Sequence, residues 1–208
     1  MIISNKYKFI FIHIPKNAGT SISESLKVAT QEEKHWAVSD NTKHQTFNDL
    51  ISIKENAKFL DKLIKGYGFL NYFKFAIVRN PYERMVSLYD YLNKYKVREE
   101  ILNVNSFDEF INELNNPHSW VSNLHSTRLQ LDFVKDNKGF ICLDYIGRYE
   151  DLDNSIKKIQ NKIGLDFNLK KLNVSKSRES YKQFYSNYSR NIVEKKFLDD
   201  LNYFNYKF

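Results

Sequence analysis

The chain has 208 residues, 42% hydrophobic and 15% aromatic, which is enough to bury an ordinary core and too apolar for a disordered chain. Its 32 Lys and Arg against 25 Asp and Glu leave a net charge of +7, a field that favours acidic partners without separating a nucleic acid from a nucleotide or an acidic glycan. One cysteine, Cys142, excludes an internal disulfide framework, and 6 Gly, 3 Pro and no repeat read as a single domain over residues 1–208.

The opening MIISNKYKFIFIHIPK is broken by Asn5, Lys6 and Lys8, is too short to cross a bilayer and lacks a small-residue cleavage site. It reads as a strand of a cytoplasmic protein, with peripheral membrane attachment or a missing anchor left open. Within it, Tyr7 to Ile14 is dense in Phe and Ile and predicts a strand buried on both faces, which Pro15 and Gly19 end before a helix over Ser21 to Ala29. A polar helical stretch is expected over Asn48 to Leu63. Phe73 to Val78 reads as a second buried strand, after which Asn80 and Pro81 supply N-cap and first-turn residues for a helix to about Tyr95. Ser106 to Leu114 and roughly Val121 to Val134 read as helices. Ile141 to Ile146 is a third short apolar strand, with Cys142 as a buried core thiol, and Leu152 to Ile163 carries helix periodicity until Gly164 stops it. The tail from Tyr181 to Phe204 reads as helical throughout. Strands alternating with helices predict an α/β fold: a mainly parallel sheet flanked by helices, P-loop-like, with a helical C-terminal segment.

Open parallel sheets bind ligands beyond the carboxyl ends of their strands, and two motifs begin there. In HIPKNAGTSI, residues 13 to 22, Gly19 lets backbone approach a ligand, and the amides of Ala18 to Ser21 open a helix whose dipole favours an anion. Lys16 adds a positive charge, and Thr20 and Ser21 add hydroxyls. The G-x-x-x-x-G-K-[ST] order of a nucleoside-triphosphate loop is absent, since the lysine precedes the glycine. The competing reading is a tight turn with a Ser or Thr N-cap. In FAIVRNPYERMVSLYDYL, residues 75 to 92, Arg79 stands at a strand end and Ser87 two turns into the following helix, where a guanidinium and a hydroxyl could share a second anion; Arg84 shares the Ser87 face. Two anion sites on one sheet suit a ligand with two separated anionic groups.

These segments resemble the family 2 sulfotransferases, the carbohydrate-type group that includes the heparan and chondroitin enzymes and many bacterial relatives. HIPKNAGTSI resembles their 5′-phosphosulfate loop and IVRNPYERMVSLY their 3′-phosphate segment, and the likeness continues through IGRYEDL (146–152) and from SKSRESY to the closing FNYKF. The resemblance implies a sulfotransferase fold and an O-sulfotransferase that moves a sulfonate group from 3′-phosphoadenosine 5′-phosphosulfate, PAPS, to a hydroxyl of a glycan or glycolipid. It implies that Lys16, Asn17, Ala18, Gly19, Thr20 and Ser21 surround the phosphosulfate, that Arg79 and Ser87 hold the 3′-phosphate, and that Ser177 and Arg178 close over the nucleotide. Asn17 stands where the family often has Thr and is expected to contribute mainly backbone. Asn205 stands where the closing motif often has Gly, which touches only the geometry of the tail.

The acceptor hydroxyl must lose a proton, for which histidine is suited. His44, in NTKHQTF, matches a family segment in which relatives carry a catalytic histidine; His35 is the spare candidate. His13 reads as scaffold, and His118 and His125 lie in a polar region that the motifs do not tie to the donor. Tyr149 and Glu150 read as packing and hydrogen-bonding residues. FICLD, ending at Asp144, has the look of a Walker B strand, but without a Walker A lysine it reads as a core strand with a terminal acid. No ligand spacing for a metal occurs, so none is expected. Two readings compete with the sulfotransferase: a nucleotide kinase or NTPase on a related fold, disfavoured by the missing Gly-Lys-Ser/Thr order, and a basic nucleic-acid-binding module, disfavoured because Lys and Arg are scattered without a recognition motif. No nucleic-acid partner is expected. A lipid, a phenol or a peptide tyrosine stays open as the acceptor.

Overall fold

The apolar start of the chain forms two strands where one was expected. In the computed structural model, which describes residues 1–31, 44–49, 71–169 and 180–208, β1 (Ile2–Ser4) and β2 (Phe9–Ile12) make an antiparallel hairpin. The polar Asn5–Lys8 stretch makes its turn: the Tyr7 N–H donates to Ser4 Oγ at 3.1 Å, and Lys8 takes a left-handed φ of 55°. β2 then pairs in parallel with β3 (Phe73–Val78), and β3 in parallel with β4 (Tyr145–Arg148), giving the order β1-β2-β3-β4. Among the described residues the α-helices bounded in full are, in chain order, α1 (Gly19–Thr30), α2 (Pro81–Tyr95), α3 (Phe107–Asn112), α4 (Leu131–Val134), α5 (Leu152–Ile163), α6 (Asn187–Lys196) and α7 (Leu198–Tyr203).

The described chain divides into two compact units. The first comprises Met1–Val78 and Gln130–Asn173 and holds the sheet. Because successive strand residues face opposite sides, Phe9, Phe11, Phe75 and Ile77 share one face and meet Ile22 and Leu26 of α1 and Ile156, Ile159 and Ile163 of α5. Ile10, Ile12, Ala76 and Val78 on the other face are buried as well. This doubly covered, mostly parallel sheet is the α/β arrangement that the strand and helix alternation predicts. The second unit, Arg79–Leu129 and Val174–Phe208, is helical.

Several boundaries differ from expectation. The third strand begins at Tyr145 rather than Ile141, because Asp136 turns the preceding segment: its Oδ1 accepts the N–H groups of Lys138 and Phe140, both at 2.9 Å, and Ile141 is left to bridge Lys135. Cys142 is accordingly only half-buried, its Sγ on the Phe140 carbonyl. Asp144 is a staple on β3, with Oδ2 accepting the Lys74 N–H at 2.7 Å and lying 3.1 Å from Lys74 Nζ. Of the helix expected over Val121 to Val134 only α4 forms. The Thr127 hydroxyl instead donates to the carbonyls of Val121 and Leu124, each at 2.8 Å, which competes with helical bonding. The tail is not one helix either: Ser186 starts α6 with a capping box, and Phe197 separates α6 from α7. Most of the helix expected over 48–63 lies outside the described residues.

Gly147 lets α5 approach β4. A Cβ there would stand 2.6 Å from Ile77 Cδ1 and 2.9 Å from Ser155 Oγ, and that hydroxyl bonds both the N–H and the carbonyl of Arg148 at 3.0 and 3.2 Å. Gly147→Ala should therefore destabilise the protein by about 1–3 kcal/mol through overpacking, seen as a lower urea midpoint with an unchanged slope.

Candidate functional site

The strand-to-helix junction after β2 is built under tight steric control. His13 is buried, and its imidazole lies so close to the Gly19 Cα that a Cβ on residue 19 would come within 1.9 Å of His13 Cδ2 and 2.1 Å of Nε2. The loop between them turns through two left-handed residues that are not glycine, Lys16 at φ 70° and Ala18 at φ 60°. Such conformations cost of order 1–3 kcal/mol each and persist only where neighbours hold them. Asn17, between the two, is 1% exposed and turns its side chain inward: Nδ2 donates to the Ile77 carbonyl at 2.8 Å and to Gln130 Oε1 at 2.7 Å.

The same turn sets the electrostatics. Ala18 is the N-cap of α1, no side chain caps the helix, and no acidic residue occupies its first turn. Neither Thr20 nor Ser21 is the N-cap of α1. Lys16 is partly exposed and Thr20 exposed. A helix start with positive partial charge, a lysine two residues ahead of its N-cap and no carboxylate in its first turn suit an anion.

His44 comes to this loop from a distant part of the sequence. Its Nδ1 lies 3.3 Å from the His13 carbonyl, and the two imidazoles meet edge to face with centroids 4.5 Å apart. A carbonyl only accepts, so in this contact Nδ1 carries the proton, which leaves the lone pair of a neutral ring on Nε2. The residues after it are pinned by a reciprocal pair: Thr46 N–H donates to Asp49 Oδ2 at 2.7 Å and the Asp49 N–H to Thr46 Oγ1 at 3.1 Å.

Arg79 and Ser87 belong to the second unit. Arg79, 5% exposed, pairs with Glu83 Oε1 at 2.8 Å across one turn of α2. Asn80 caps α2 by accepting the Tyr82 N–H at 3.1 Å, and its Nδ2 donates to the Lys207 carbonyl at 2.9 Å, which ties the tail to the start of the helix. Phe208 continues the tie, its ring 4.9 Å from that of Tyr82 and 4.4 Å from the Arg190 guanidinium. Ser87 is partly buried on α2. Arg84 is wholly buried and donates to the Arg128 carbonyl at 3.0 Å. Burial lowers its pKa to about 10, buried Asp200 raises it, and the nearby Arg79 lowers it, so it stays cationic at neutral pH as a scaffold charge. In the tail, Asn205 takes a left-handed φ of 52°, a conformation asparagine tolerates and glycine shares, so the departure from the family's closing Gly leaves the backbone shape available.

In the first unit the structure thus gathers Lys16, Asn17, Ala18, Gly19, Thr20, Ser21 and His44. In the second, Arg79 directly precedes the N-cap of α2 and Ser87 lies within that helix. Ser177, Arg178 and His35 lie outside the described residues. His118 and His125 are exposed residues of the second unit. Gln130 and Glu83 escaped the sequence reading. The available signals were slight: a glutamine directly before the apolar Leu131, Phe133 and Val134, and a glutamate four residues after Arg79. Among the described residues no group of His, Cys, Asp and Glu could hold a metal ion, and no helix is long and apolar enough to cross a membrane.

The sequence model of the Sulfotransferase family matches residues 1–207, and the chain belongs to that family. It is also similar to an uncharacterized protein of Archaeoglobus fulgidus, with 33% identity over 97 residues that span 47% of this chain and 72% of the relative. No solved structure gives a significant match. The sheet and its flanking helices are consistent with a sulfotransferase-like fold, and the family assigns transfer of a sulfonate group as the reaction class.

The Gly19 contact gives a direct test. Gly19→Ala should unfold at clearly lower denaturant, whereas adding it to His13→Ala should cost little more than His13→Ala alone, because the ring it strikes is gone. Strictly additive losses in urea titrations would place the constraint elsewhere.

Proposed function

We propose that the chain is an O-sulfotransferase that uses PAPS as donor and a hydroxyl of a carbohydrate, free or on a glycolipid, as acceptor. One observation carries this reading: an uncapped helix start, free of acidic residues in its first turn, seated behind the left-handed Lys16 and Ala18 and bordered by a histidine whose Nδ1 lies on the His13 carbonyl. The donor supplies an activated sulfonate and a phosphate leaving group. Lys16, Asn17, Ala18, Gly19, Thr20 and Ser21 would hold the phosphosulfate, the amides orienting it and the Lys16 ammonium stabilising negative charge on the leaving oxygen. Arg79 and Ser87 would hold the 3′-phosphate, with Glu83 keeping the guanidinium aimed. His44 Nε2 would take the acceptor proton, while Nδ1 stays on the His13 carbonyl. Ser177 and Arg178 complete the proposed set on resemblance alone.

Binding and chemistry separate in three measurements. 3′,5′-adenosine bisphosphate should raise the melting temperature without divalent metal, and by more than ATP does; stabilisation by magnesium-ATP alone would favour a kinase or NTPase. Lys16→Ala should cost about 2–4 kcal/mol in turnover, as loss of a preorganised charge-stabilising group does, while Arg79→Ala should chiefly raise the donor KM. His44→Gln should bind the bisphosphate as the parent does and transfer sulfonate roughly a hundredfold more slowly. Near-parental turnover in that variant removes His44 from the mechanism.

A further inference from the structure

We infer that Gln130 is a positioning residue of the phosphosulfate loop, acting through Asn17; the inference rests on the PAPS reading of that loop. The argument begins with the two backbone strains. Lys16 at φ 70° and Ala18 at φ 60° flank Asn17, so the loop's shape depends on what holds residue 17. Its amide orientation is fixed: Nδ2 faces the Ile77 carbonyl at 2.8 Å, which can only accept. The Gln130 atom 2.7 Å from the same Nδ2 must then be an acceptor, Oε1. Both side chains are buried, Asn17 at 1% and Gln130 at 0% exposure, and among the described residues Asn17 Oδ1 has no hydrogen-bond partner. Among the described residues the anchor therefore runs through Nδ2, with one bond to the end of β3 and one to Gln130.

Gln130 is itself fixed where α4 begins, its carbonyl accepting the Phe133 N–H at 3.1 Å. It bears on the loop through the inward face of Asn17, and it lies 113 positions further along the chain. Its role is to keep Lys16, Ala18 and the start of α1 in the shape that receives the 5′ end of the donor. The 3′-phosphate group, assigned to Arg79 and Ser87, should be indifferent to it.

Titration calorimetry with three nucleotides tests this without turnover. The preference for 3′,5′-adenosine bisphosphate over 3′-adenosine monophosphate reads the 5′-phosphate contribution, and the preference over 5′-adenosine monophosphate reads the 3′-phosphate contribution. Gln130→Met keeps the volume and removes the acceptor, so the first preference should shrink about tenfold or more while the second stays within about twofold. Asn17→Ser, which breaks both bonds of the anchor, should lose at least as much, and the double variant no more than Asn17→Ser alone; Gln130→Leu carries the test if Gln130→Met does not fold. An unchanged first preference in the variants overturns the inference, as does a parallel fall of both preferences, which would mark a general disturbance of the fold. A parent protein that shows no preference for the bisphosphate over 3′-adenosine monophosphate instead removes the PAPS reading, and the inference with it.

Discussion

The loop after β2 depends on one close approach, the Gly19 Cα against the His13 imidazole, where no Cβ can be accommodated. Because the helix must begin against that ring, the chain has only five residues between them to reverse from strand to helix, and it does so by placing Lys16 and Ala18 in left-handed conformations. An alanine N-cap follows, and with it a helix start that no side chain of its own neutralises. The uncapped helix start is thus a consequence of packing at His13. The same residue's carbonyl fixes the tautomer of His44, so one scaffold histidine governs both the loop and the candidate base.

Strain of this kind has to be offset by contacts around it. The first unit does so with buried polar anchors on a dry sheet: Asn17 to the end of β3 and to Gln130, and Ser155 to both backbone groups of Arg148. The Asn17 bonds are made out of water, where an unmet partner would cost about 1–3 kcal/mol. The second unit uses the same device at Asn80, which caps α2 and grips the tail at Lys207, and at Arg84, whose charge is kept inside by Asp200 and the Arg128 carbonyl.

This division suits group transfer. Under the proposed reading, the groups that would hold the donor still, Arg79 against Glu83 and the loop against Gln130, are buried and cross-braced, whereas Lys16 and His44, proposed to meet the reacting groups, are partly exposed. Family membership gives the reaction class, and the geometry adds a reason for the order of the motif: the lysine precedes the glycine because residue 16 is a left-handed corner before the helix and residue 19 is the point of closest packing.

Local chemistry made much of this readable in advance. Apolar runs at 73–78 and 152–163 gave β3 and α5 with their bounds, because burial on a sheet face and a 3.6-residue stripe leave direct marks on composition. Asn80 and Pro81 announced α2, and the motif order announced the family. What stayed hidden depended on partners remote in sequence. The N-terminal hairpin needed a turn of Asn and Lys that looks like a polar interruption, and 121–130 carries helix-compatible residues whose hydroxyls chose backbone carbonyls instead. Gln130 and His13 could not be recognised, because nothing near either residue says that one meets Asn17 across 113 positions or that the other meets both Gly19 and His44. Residue type and spacing determined which elements form and which side chains could bind an anion; only tertiary packing decided how the loop is braced, since hydrogen bonds between distant segments leave no periodic trace in the chain.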